Sequence, residues 1–172
     1  MATTPQAPVS WESPERVEGP APGVEFAPHG GRLVAYIIDT ILISVILIVA
    51  LLVAAPLLAN GSTTTESGRV TSLGATAPLG FLLVLIGFLV AFLYFPFFWA
   101  RGGQTPGMRP FSLRVVRDRD GTSFGWGTAL LRLVGLYVAA AVFYIGFIWI
   151  FIDKRRRGWQ DLIAGTVVVK KP

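Results

Sequence analysis

Four ionisable residues stand within or beside apolar sequence, where charge is costly: Arg32, Asp39, Arg132 and Asp161. In GRLVAYIIDT, Arg32, Tyr36 and Asp39 fall at i, i+4 and i+7, on one face of a helix. A central Asp or Arg costs roughly 2.5–3.5 kcal/mol in a bilayer unless it is paired, wet or near an end. Two chemistries suit Asp39. One is proton or cation exchange at the inner membrane face, with Arg32 or Arg132 beside it. The other is a structural ion pair that locks helices together. Seven helical residues rise about 10.5 Å, so Arg32 at the interface does not easily meet Asp39, and Tyr36 is placed to bridge them. Arg132, in GTALLRLVG, is a natural partner for Asp39 if its segment packs on the first helix; the alternative is snorkelling to the interface. Asp161, in RRRGWQDLIAGT, is placed to accept from Arg155 to Arg157, to accept from Arg32, or to form a solvated local pair. Asp153 and Arg157, four apart, read as a surface ion pair.

Little else in the chain offers chemistry. There is no Cys, hence no disulfide and no thiolate metal site. His29 is the only histidine; it sits in a Pro/Gly segment and reads as solvated rather than metal-bound. No paired carboxylates stand at catalytic spacing. RGGQTPG is glycine-rich but lacks the phosphate-loop spacing and its Lys. The expectation is a protein that is not an enzyme and has no cofactor.

The elements that must position the four residues are apolar blocks. Of 172 residues 53% are hydrophobic and only 15% charged, against about 25% charged in an average soluble domain. Thr40 to Ala59, Val70 to Ala100 and Leu133 to Ile152 carry no charge. Runs of about 20 such residues match a bilayer core near 30 Å thick. Residues 1–28 are rich in Pro, Ala, Glu and Ser and read as a disordered tail. They lack the basic start and short apolar core of a cleavable signal, so the first apolar block is expected to act as the insertion signal. The first helix is expected from Gly31 to Leu58 and the second from Pro78 to Trp99. Asn60 to Ala77 is a Gly/Ser/Thr-rich link, and Arg101 to Gly127 a polar loop. Within that loop Phe111 to Val116 is β-prone, as is Gly165 to Lys171 near the end. The two would pair only on one face of the membrane.

Basic residues bear on the topology. If all three blocks cross, Lys and Arg divide equally between the two sides. If the third block enters and leaves on one side, thirteen lie inside and only Arg69 outside, with Arg132 in the block itself. Length opposes this, since each arm of a hairpin over Thr122 to Ile152 would hold about 14 residues and span roughly 21 Å. Charge favours the re-entrant hairpin; length favours a plain span. The formal charge of +5 suits cytoplasmic loops facing anionic lipid headgroups better than nucleic acid.

Four pieces, in order, resemble the RDD family of membrane proteins: GGRLVAYIIDTIL, GGQTPGMRPFSLRVV, ALLRLV and RRRGWQDLIAGTVVV. The resemblance covers about residues 29 to 170. It makes Arg32 the family Arg, Asp39 and Asp161 the two Asp, and Thr105-Pro106-Gly107 the family loop motif. Met108 stands where the family pattern has Lys. The resemblance implies that the central loop and the Asp161 segment lie near one another, and that the role is transport as far as any is suspected. The combined expectation is an all-α integral membrane protein, with residues 29–172 as its transmembrane domain. It would have two full transmembrane helices, a third apolar helix or re-entrant hairpin, and a short cytoplasmic β-ribbon. It would be a multi-pass protein of a bacterial-type plasma (inner) membrane with a cytoplasmic N-terminus. Arg32, Asp39, Arg132 and Asp161 would form one polar cluster near the cytoplasmic face, serving ion or small-solute transport. The alternative is a non-catalytic accessory or assembly subunit. Expected partners are the bilayer, anionic headgroups, and either further copies of the chain or a membrane complex.

Overall fold

The computed structural model describes residues 19–20, 24–60, 62–65, 67–142 and 148–170. Most of the tail, 1–18 and 21–23, lies outside the described residues. So do residues 143–147, where a hairpin turn in the third block would fall.

Two long helices dominate. Helix α1 is His29–Ala59 and α2 is Ala77–Gly102. At 1.5 Å per residue they measure about 46 and 39 Å, more than the roughly 30 Å of a hydrocarbon core. Both are apolar enough to cross a membrane. Their packing is inverted relative to a soluble core. Arg32, Ala35, Asp39 and Ala54 are the buried residues of α1, whereas Leu52, Ile41 and Ile48 face outward. Such a broad apolar exterior suits lipid, not water. Small residues let the two helices approach: a side chain at Gly87 would meet Ala50 Cβ at 2.7 Å.

The link between the helices is ordered as a hairpin of β2 (Thr63–Thr64) and β3 (Val70–Ser72). It follows from β-branched residues on both sides of a glycine turn at Gly68 (φ +77°). After α2, Pro106–Phe111 forms a 3-10 turn and leads into β4 (Leu113–Arg117). The third block begins as α3 (Trp126–Ala141). Its 16 residues span about 24 Å, too short for a crossing. Beyond it come a single 3-10 turn at Trp149–Phe151, the short helix α4 (Trp159–Ala164) and strand β5 (Thr166–Lys170).

The sheet ties these pieces together. β5 is its central strand, antiparallel to β4 on one side and to β1 (Glu25–Phe26) on the other. The two β-prone segments therefore pair, with Val115 opposite Val168. The fold differs from an all-α one in carrying this three-stranded sheet instead of a two-stranded ribbon. Its extra strand, Glu25–Phe26, comes from the stretch assigned to the tail. Phe26 is buried beside Val167 and Val169, and the Ala27 N–H donates to the Val168 carbonyl at 3.0 Å. Because β4 precedes the third block and β5 follows it, the block starts and ends at the same sheet.

Candidate functional site

Asp39 lies ten residues into α1 and is fully buried. Three donors converge on it. The Tyr94 hydroxyl donates to Oδ1 at 2.8 Å, as does the Gly107 N–H at 2.8 Å, and the Thr105 hydroxyl donates to Oδ2 at 2.5 Å. Tyr94 comes from the aromatic end of α2, and the other two from the Thr105-Pro106-Gly107 loop. Proline opens the 3-10 turn, where its fixed φ is already suited, and Thr105 precedes it in an extended conformation. Gly107 is required by space: a side chain there would strike the Ala35 carbonyl and come within 2.8 Å of the Asp39 carboxyl. Next to it, Met108 is buried in the core with Ala35, Trp99 and Leu113. An uncharged side chain at this position is thus part of the packing.

The second site is a triad. Asp161, fully buried on α4, takes Arg32 on Oδ2 and Arg132 on Oδ1. The Gly158 N–H adds a bond at 3.0 Å. Arg132 also donates to the Thr166 hydroxyl at 2.6 Å and lies over the Trp99 ring, 4.7 Å from its centre. Arg32 donates to the Arg156 carbonyl as well. Arg156 holds a left-handed backbone (φ +55°) there, a conformation that costs a non-glycine residue roughly 1–2 kcal/mol. Burial alone would raise the Asp161 carboxyl; the charges of Arg132 and Arg32 and the Gly158 N–H outweigh it and hold the group below its ordinary value.

The four residues therefore form two sites, not one. Arg132 neither pairs with Asp39 nor snorkels. It sits on the face of α3 that meets α4, while Asp39 faces α2 and the loop. Tyr36 does not bridge Arg32 to Asp39 but acts on the Arg132 guanidinium. Of the donors considered for Asp161, only Arg32 is used. Arg155 and Arg157 turn to Asp118, at 3.1 and 3.0 Å, and Arg157 also meets Asp153 at 3.0 Å as the spacing suggested. The Arg157 hydrogen bond is the main reason the Asp153 carboxyl is held low. Sequence reasoning missed Tyr94 and Thr166. No pattern marks them, since a Tyr in an aromatic run and a Thr opening a strand are ordinary. No group of three or more potential metal ligands occurs among the described residues.

The RDD family model matches residues 26–165, most of the chain. The uncharacterised protein YxaI of Bacillus subtilis (strain 168) is 30% identical over 146 residues, covering 81% of this chain and 94% of YxaI. The proline-rich antigen of Mycobacterium leprae (strain TN) is 25% identical over 143 residues, 79% of this chain. The match spans 57% of that antigen's length. No solved structure matches. The chain belongs to the RDD family and is a protein of membrane type.

Proposed function

We propose that this RDD family chain crosses a bacterial-type inner membrane twice. In this reading the three-stranded sheet, the Lys154 to Arg157 cluster and the N-terminal flank lie in the cytoplasm. Its role there is that of a non-catalytic accessory or assembly subunit, joined to other copies or to a larger membrane complex through the outer faces of α1 and α2. The length of α1 supports this placement. About 46 Å of helix exceeds the bilayer core by about 16 Å, so Asp39, roughly 15 Å from the start, falls near the inner edge of the hydrocarbon. The loop that caps it then sits at the interface, where irregular backbone is tolerated.

One observation carries the functional reading: both buried carboxylates are occupied by protein donors. Asp39 takes three neutral donors, and Asp161 takes two guanidinium groups and an N–H. Such carboxylates act as clasps. The rival reading, ion or small-solute transport, needs at least one of them to exchange a protein donor for a solute along a wet path. Asp39→Asn in proteoliposomes decides between the two. The expected result is that native protein gives no sodium- or proton-driven flux above empty vesicles, while the variant loses thermal stability. A native flux that the variant abolishes while keeping its fold would replace the clasp with a transport site.

A further inference from the structure

A cavity of about 230 Å³ opens between the first turns of α1 and the segment Ile148–Phe151. Its outer walls, Leu33, Ile148 and Phe151, are exposed and apolar. Its inner end is framed by the side chains of His29, Arg32 and Tyr36. Arg32 is only 2% exposed, and its Nε, like His29 Nδ1, is buried without a hydrogen-bond partner. Arg156 lies close by: its carbonyl accepts from Arg32, and its guanidinium donates to the Ala27 carbonyl at 3.3 Å. Behind them, Arg32 and Arg132 share the single carboxylate of Asp161. Among the described residues no second carboxylate pairs with either guanidinium. Among the described residues the triad thus sets two guanidinium groups against one carboxylate, a costly balance in a buried site unless an anion answers it.

We infer that this cavity seats the phosphate headgroup of an anionic phospholipid. The phosphate answers the excess charge and accepts from Arg32 Nε–H and from the neutral His29 imidazole in its Nδ1–H tautomer. The volume is below that of a pocket enclosing a whole drug-sized ligand, so it suits a headgroup alone. The acyl chains leave along Leu33, Ile148 and Phe151 toward α1's lipid-facing side. A free phosphate would match the inner end but leave this apolar exit unused. The lipid therefore holds together the start of α1 and the segment leading to the basic cluster.

The inference rests on the membrane placement proposed above, which cysteine labelling in cells tests separately. The site is tested on the purified full chain in detergent, mixed with dioleoyl phosphatidylglycerol, dioleoyl phosphatidylcholine or inorganic phosphate. Native mass spectrometry counts bound lipid, and melting reports stabilisation. The expected result is one tightly held phosphatidylglycerol per chain, a raised Tm, and no shift with phosphate. His29→Glu places an anion beside Arg32 within the cavity and is expected to weaken retention about tenfold, with Lys154→Glu, outside the cavity, changing it less than about twofold. Equal retention of phosphatidylcholine overturns the proposal. So does an equal shift with inorganic phosphate, which marks a free-anion site, and so does an equal loss in Lys154→Glu, which marks a diffuse basic surface. Should His29→Glu fail to fold, Leu33→Trp fills the cavity from its exposed wall. Unchanged retention in that variant sinks the idea equally.

Discussion

Asp161 is where two guanidinium groups and one carboxylate meet out of water, and its removal leaves both cations uncompensated. Asp161→Ala is expected to cost about 3–5 kcal/mol, a large share of the stability of a marginally stable protein. Asp39→Asn keeps a carbonyl for Tyr94 and Gly107 and exchanges charge-assisted bonds for neutral ones, so about 1–2 kcal/mol is expected. Melting of both variants in detergent checks the order; an Asp39→Asn protein less stable than Asp161→Ala would reverse the ranking. The pH response follows from the depressed Asp161 carboxyl. A folded pKa below the unfolded value of about 3.9 gives stability that is present above pH 4 and lost as pH falls through the folded pKa. An acid melt of native protein should therefore steepen below about pH 4, and Asp161→Asn should lack that component. At this scale the sequence revealed which residues matter but not how they pair. Helical spacing relates Arg32, Tyr36 and Asp39 to one another. It says nothing about Arg132 and Asp161, which are 29 residues apart and meet only after α3 and α4 pack.

The central strand β5 holds β1 and β4 together, so the flanks of all three apolar blocks depend on one segment. Val168 is 1% exposed and belongs to the core with Leu113, Val115 and Trp99. Val168→Lys buries an unpaired ammonium there. Hydrogen exchange should then show amides of β4 and β1 losing protection while the interior of α1 and α2 keeps it; uniform protection in all elements would count against the sheet as a separate unit. The two long helices were legible because their blocks lack charge, and the β4–β5 pair because both are β-branched. Strand β1 was not. Two residues in a Pro-rich stretch carry no periodicity, and only the edge offered by β5 orders them. The hairpin of β2 and β3 was hidden for the same reason, within a link that read simply as polar.

For the whole molecule, the shared sheet bears on topology in a way charge counting alone could not. Strands before and after the third block are hydrogen-bonded partners, from Leu113 with Lys170 to Arg117 with Thr166. Both must lie on one side of any membrane. The native chain has no Cys, so single cysteines at the exposed positions Ser67, Ser112 and Lys170 can be probed in intact cells with an impermeant thiol reagent. Ser67→Cys alone should label. Labelling of Lys170→Cys without Ser112→Cys would mean that β4 and β5 are not paired in the cell. The same long-range pairing sets an order of events during synthesis. Arg32 and Arg132 leave the ribosome before the Asp161 that neutralises them, and β1 and β4 before the strand that joins them. Two cations and two strand edges thus stay unmatched until the Asp161 helix and β5 have been made and dock against them.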